Sequence, residues 1–362
     1  MIASAAKQVF EFIKFFILSF LHCLVMEYYR IVNFELDCLE IEVEKEEEVF
    51  PLFKLPLLAV ENVFSMMTPF ELIDLSLTSS KARRTVRSFS RLKPVRFWIT
   101  LGISDEPTIE IEAQEETWTY TWTPYKMITF RSLFGNCQLS KTPMDDCIKW
   151  FEMMIKGVLA CRVNKLSVSK LPPSITDWLR SEQKSIEEIS IYGGVQKDLK
   201  YFLDHIKVTE EFLLDFPPEN FHLEIPQSLT NLLIFHSKFI NYDQLLRLKA
   251  PFIVLRQSIL TSEEINRFLK SWMSSESHVE LDTFEINIRD WRTRFDIIEL
   301  PGKVEADPKS KKEMKKKFPG IEMESEFNVT RTDGKTATVC IGQGLFDYYR
   351  LCMMTHWLEE DD

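Results

Sequence analysis

The residues best equipped for chemistry here are six histidines and seven cysteines, and their spacing disperses them. His22, His205, His222, His236, His278 and His356 show no metal-ligand spacing. Cys23, Cys38, Cys137, Cys147, Cys161, Cys340 and Cys352 include no C-x-x-C pair, and their odd number suits reduced, mostly buried thiols of an intracellular protein. A nucleophile elbow, a zinc-protease motif and a phosphate loop are all absent from the sequence. Gly342-Gln343-Gly344 is only G-x-G, and ten glycines in the whole chain make a phosphate cradle a poor reading. The acidic pair Glu263-Glu264 is explained by helix capping. Trp150, Trp178, Trp272, Trp291 and Trp357 read as core or strand-packing residues rather than a ligand cage. The sequon Asn328-Val329-Thr330 reads as a chance triplet. No catalytic, metal-ligating or cofactor-binding constellation emerges, so the expectation is a non-enzyme with no cofactor.

What remains is binding. The chain has 362 residues, 45% hydrophobic and 27% charged, which allows one small and one larger domain. A net charge of −11 argues against nucleic acid as the main partner. Residues 1–49 read as an amino-terminal extension. Phe15 to Met26 is strongly apolar, and Val9 to Ile13 extends it. Reaching the roughly 20 apolar residues of a spanning helix means including Glu11, Lys14 and His22. A packed or interfacial helix is therefore favoured over a membrane tether through residues 9–26. The acidic run Glu40 to Glu48 reads as a solvated linker.

Alternation marks the next elements. Val95 to Thr123, with Thr108-Ile109-Glu110-Ile111-Glu112 and Trp118-Thr119-Tyr120-Thr121-Trp122, predicts an antiparallel meander. Short apolar runs then alternate with helix-like stretches: 165–168, 186–191, 212–216, 231–235, 252–255 and 284–288. Most lie roughly 20–23 residues apart, within the period range of leucine-rich repeats, though the strict repeat signature is missing. An irregular strand–helix solenoid or open α/β sheet is expected. Thr142-Pro143-Met144-Asp145 and Thr261-Ser262-Glu263-Glu264 signal helix starts, and Asp333-Gly334 signals a hairpin between 326–331 and 336–341. Lys309 to Lys317 reads as a solvated loop or helix face.

The densest helix signals lie in Leu55 to Phe89. Pro56 suits a helix start, and Val60, Val63, Phe64 and Met67 make one stripe. Thr68-Pro69-Phe70-Glu71 predicts a capping box with proline at the first position, and Met67 and Leu72 stand where a hydrophobic staple would close. A basic third helix over 81–89 carries Arg83, Arg84 and Arg87. Three helices in about forty residues sit near the size limit for independent folding. Leu55, Leu57, Leu58, Val60, Val63, Phe64, Leu72 and Leu75 exceed what so small a core can hold. The surplus must face either the downstream domain or a separate protein.

The string from Phe50 to Ser90, with Leu55-Pro56, Val63-Phe64 and Leu72…Leu75-Ser76…Ser79, resembles the F-box. It is most similar to the nematode-expanded F-box proteins that carry an F-box-associated domain of the second type. LTSEEINRFLKSWM, with Asn266, Phe268, Leu269 and Trp272, followed by Leu281 to Ile288, resembles that associated domain. An α+β chain is expected, with an extension (1–49) outside the resemblance; the resemblance implies a three-helix F-box (50–90) and a substrate-binding domain (91–362). That last domain would be a strand meander followed by an irregular leucine-rich-repeat-like solenoid. It further implies the substrate-receptor subunit of a Skp–cullin–F-box ubiquitin ligase, cytoplasmic or nuclear. A Skp-family adaptor would link it to a cullin and a RING protein, and an unidentified protein substrate would be the cargo. Carried over residue by residue, the adaptor contacts would be Leu55, Pro56, Leu57, Val60, Val63, Phe64, Pro69, Leu72 and Leu75. A non-ligase scaffold or a membrane-tethered interaction protein is the alternative. The surface after the strands between Ile186 and Ile288 is expected to read the substrate.

Overall fold

The computed structural model describes residues 52–92, 97–125, 135–216, 224–288, 292, 297, 299–344 and 349–356. The apolar segment 9–26, the acidic run 40–48, His22, His222, Cys23, Cys38, Trp291 and Trp357 lie outside these residues.

Three helices come first: α1 (Leu57–Phe64), α2 (Pro69–Thr78) and α3 (Ser80–Leu92). A meander follows, β1 (Trp98–Ile103), β2 (Thr108–Ala113) and β3 (Glu116–Thr123), then β4 (Gly135–Leu139), parallel to β3. Helix α4 (Pro143–Trp150) continues into a π-helical stretch at Phe151–Lys156. Strands and helices then alternate: β5 (Lys165–Val168), α5 (Pro173–Glu182), β6 (Ser185–Ile191), α6 (Gln196–His205), β7 (Lys207–Leu214), β8 (Asn231–Ile234), α7 (Tyr242–Leu245), β9 (Phe252–Leu255), α8 (Ser262–Met273) and β10 (Thr283–Asn287). The chain closes with β11 (Val304–Glu305), α9 (Pro308–Lys317), β12 (Ile321–Thr330), β13 (Thr336–Gly344) and β14 (Tyr349–His356).

The fourteen strands among the described residues form one sheet, in the order β11-β12-β13-β14-β10-β9-β8-β7-β6-β5-β1-β2-β3-β4. From β1 through β5 to β10 each strand pairs in parallel with the one before it, always one place further along. Steps that never reverse leave no switch point, and right-handed crossovers of that kind put their helices on one face. The strands show it. Leu166 and Val168, Ile189 and Ile191, Phe212 and Leu214, Leu232 and Ile234, Ile253 and Leu255 are buried in matching register. Buried helix residues such as Leu179, Phe202, Leu245 and Phe268 belong to the same core. Phe268 and Phe284 place their rings 4.7 Å apart between α8 and β10.

The two helix-start signals resolve differently. Thr261 and Glu264 form the expected capping box at α8: Glu264 N–H donates to Thr261 Oγ1 at 3.2 Å, and Thr261 N–H to Glu264 Oε2 at 2.8 Å. Thr142 makes no such side-chain cap. Ser140 instead accepts from Thr142 N–H at 3.0 Å while its hydroxyl donates to Asp146 at 2.5 Å. At the hairpin, Gly334 adopts φ +93°, where a side chain would be strained. The sequon triplet lies inside β12.

His278, after α8, packs edge-on against Phe268 at 4.9 Å, and burial pushes its imidazole down to about 4 from 6.5. The unfolded chain therefore takes up this proton first, so stability present above pH 6.5 is lost as pH falls toward 4. That linkage amounts to roughly 3 kcal/mol. Its φ of 52° suits asparagine as a replacement. Urea melts at pH 7 and pH 4.5 should show a clearly smaller acid loss in His278→Asn than in the wild type. Equal losses would exclude this histidine as a source.

Candidate partner-docking site

The first three helices are shaped by local chemistry. At α2, Glu71 N–H donates to Thr68 Oγ1 at 3.2 Å and Thr68 N–H donates to Glu71 Oε2 at 2.7 Å, with Pro69 at the first helical position. Met67 and Leu72, the two staple positions, are both buried. Helix α3 buries Ala82, Val86, Phe89 and Ser90 as one stripe and exposes Arg83, Arg84 and Arg87. Phe64 meets Phe89 edge-on, their centroids 5.3 Å apart, which ties α1 to α3.

The helices also lean on the sheet. Phe70 of α2 lies 4.6 Å from the ring of Tyr120 in β3, and Tyr120 in turn lies 5.3 Å from Trp150 of α4. Tyr120 shares its sheet face with Trp118, Trp122, Ile109 and Ile111, all buried. The three helices thus join the helix layer of the downstream domain through one continuous core.

The nine residues expected to contact the adaptor differ in burial within the chain. Val60, Phe64, Pro69, Leu72 and Leu75 are buried in the chain's own core. A forty-residue bundle could not hold them alone, but this bundle shares the core of the sheet. Leu55 and Val63 are half-buried, and Pro56 and Leu57 are exposed. The exposed apolar residues here are Leu57 at 69%, Leu58 at 67%, Leu92 at 76% and Leu77. Leu58, Leu77 and Leu92 were outside the expected contacts. Leu58 is part of the apolar excess in the sequence; for Leu92 the helical phase is the available signal, since it lies off the buried stripe of α3, while Leu77 shares the phase of Phe70 and Ile73 and is exposed in the last turn of α2.

Among the described residues, no group of three or more His, Cys, Asp or Glu side chains could hold a metal. Burial pushes the Cys161 thiol up to about 12 and raises Cys147 further, which removes the thiolate a nucleophile needs. No described helix is long and apolar enough to cross a membrane. The residues around α8 are architectural: Asn266 Nδ2 donates to the carbonyls of Ile297 at 3.0 Å and Glu299 at 3.2 Å. The buried Arg331 guanidinium lies 5.2 Å from the Trp272 ring and donates to Asp333 at 2.7 Å and 2.9 Å.

Residues 52–94, which contain α1 to α3, match the family described as F-box domain. Residues 220–286, which contain β8, α7, β9 and α8, match the family described as F-box associated. Comparison with curated proteins finds no match, and neither does comparison with solved structures. The chain therefore carries an F-box domain, which implies docking on a Skp-family adaptor, ahead of an F-box-associated domain.

Proposed function

We propose that this chain is the non-catalytic substrate-receptor subunit of a Skp–cullin–F-box ubiquitin ligase, working in the cytoplasm or nucleus. Its F-box, residues 50–90, docks on the adaptor, which connects it to a cullin and a RING protein. Residues 91–362 hold the protein to be ubiquitinated. The observation that carries this reading is the pair Leu57 and Leu58, exposed at the start of α1 within the matched F-box. Two adjacent, solvent-facing leucines disfavour an isolated chain and favour a covered one. Leu55, Pro56, Leu57, Leu58 and Val63 make the direct contacts. Val60, Phe64, Pro69, Leu72 and Leu75 hold those residues in place from beneath.

We further infer that the strand–helix units from β5 to β10 stack as an irregular, leucine-rich-repeat-like solenoid. Their parallel, one-place steps support this. A second reading, a scaffold whose first helices merely cap the sheet, draws on the Phe70–Tyr120 contact. It gives no role to the exposed leucines.

The two readings separate on one experiment. Leu57→Asp with Leu58→Asp should abolish capture of a recombinant Skp-family adaptor while thermal melting stays within a few degrees of the wild type. Leu72→Asp, which places a charge at a fully buried position, should lose the fold, at a cost of several kcal/mol. Undiminished adaptor binding by the Leu57/Leu58 variant would sink the proposed contact surface.

A further inference from the structure

The helices cover one face of the sheet, and the opposite face carries a different chemistry. Pleating puts Thr117, Thr119, Thr121 and Thr123 of β3 on that face, opposite the buried Trp118, Tyr120 and Trp122. Strand register then defines two rows across it. One runs Thr119, Glu110, Thr100, Lys165, Glu188, Glu211, Asn231 and Phe252. The other runs Thr121, Thr108, Gly102, Ser167, Ser190, Leu213, Leu233 and Val254.

One end of this face is already occupied, and by a basic helix. Helix α9 packs Met314 and Phe318 against Cys340 and Cys352, and its Lys317 ammonium lies 5.1 Å from the Phe252 ring. Lys311 reaches Glu305 at 2.9 Å and Glu326 at 3.7 Å. The face thus takes an amphipathic lysine-rich segment in its own fold: apolar side chains inward, ammonium groups onto carboxylates and an aromatic ring.

Beyond α9, from β8 to β2, the same ingredients stand without such a segment among the described residues. Leu213 and Leu233 are half-buried and apolar. Next to them Glu110, Glu188 and Glu211 gather around Lys165, whose ammonium lies 3.0 Å from Glu188, and Glu112 adds its charge to Glu110. In the same rows the hydroxyls of Thr100 and Ser190 are buried, these residues being 4% and 1% exposed, and have no hydrogen-bond partner. Among the described residues at the rim after the strands, Lys170 pairs with Asp105 at 2.6 Å and His236 lies 3.5 Å from Asp215.

We propose that the open sheet face over β2, β1 and β5–β8 binds a lysine- or arginine-bearing amphipathic segment of a partner protein. The cations meet Glu110, Glu112, Glu188 and Glu211, and the apolar side chains meet Leu213 and Leu233. Charge complementarity selects the occupant. This moves the reading surface from the strand rim to the sheet face. It names the class of substrate and rests on the receptor reading only for what becomes of the bound protein.

The carboxylates stand at a cost to stability. Burial raises Glu110, with Glu112 adding to it and Lys165 opposing, and burial raises Glu211, with Glu188 adding to it. A carboxyl group raised in the folded state weakens folding once pH climbs through its titration. Glu110→Gln and Glu211→Gln should therefore melt higher than the wild type at pH 7, with the gain fading as pH falls through 4.5. Unchanged or lower melting at pH 7 would contradict this account of the carboxylates.

Fluorescence anisotropy of the full chain, without adaptor, tests the proposal against a labelled peptide alternating lysine and leucine pairs, with its glutamate counterpart as control. The lysine peptide should bind and the glutamate peptide should not, and binding should weaken as salt rises. Glu188→Gln with Glu211→Gln should weaken binding about tenfold. Lys165→Met, which removes the competing cation, should strengthen it. Glu276→Gln with Glu280→Gln, the same charge change on an exposed loop, should leave it unchanged. Absence of binding, equal losses in both double variants, or weaker binding by Lys165→Met would overturn the proposal. Adaptor capture, measured separately, is untouched by such a failure.

Discussion

The rest of the structure depends on one constraint: seven parallel strands, β1 and β5 to β10, advance one place at a time without reversing. Crossovers of one hand then have one face on which to pack their helices. The apolar residues of each strand follow, buried toward that helix layer in register from Ile99 to Ile286. Because β2 and β3 extend the same sheet, their aromatic side presents Tyr120 to the same layer, and Phe70 brings the F-box helices into it. Docking of the F-box on its own chain and a one-sided sheet are consequences of the same topology.

That shared core resolves the apolar excess in the F-box segment. Leu72, Leu75, Val60 and Phe64 are held by a core larger than three helices could build, and this fixes the pose of α1. Leu58 lies off the side of α1 taken by Val60 and Phe64, and Leu57, on their phase, stands at the first position of the helix and is exposed there. A partner surface built on rigid, internally packed helices has little ordering entropy left to lose on binding.

Much of this was legible in the residues. The capping boxes at Thr68 and Thr261, the Asp333-Gly334 turn and the strands at 165–168, 231–234 and 252–255 are local signals, and local chemistry decides them. Alternation in Trp118-Thr119-Tyr120-Thr121-Trp122 announced a two-sided strand. Its pairing partners, and therefore the row that places Glu110 beside Thr100 and Lys165, depend on contacts between distant segments. No period in the sequence encodes them. The insertion of β14 between β10 and β13 is of that kind. The lysine run 309–317 could be read as a solvated face from composition; its seat over Cys340 and Cys352 depends on Met314 and Phe318, two apolar residues among many charges. The Thr142 signal gave no side-chain cap, and the hydroxyl that meets Thr142 N–H and Asp146 is that of Ser140. Which F-box leucines face outward was equally hidden, since the downstream sheet decides how many the core absorbs.

The central claim is that the F-box of this chain is an adaptor-docking surface centred on the start of α1. Hydrogen exchange on the full chain, alone and mixed with a recombinant Skp-family adaptor, addresses it most directly. The account predicts strong new protection across residues 55–64, with the sheet from β5 to β10 unchanged. Exchange in α1 that is identical with and without the adaptor would contradict it.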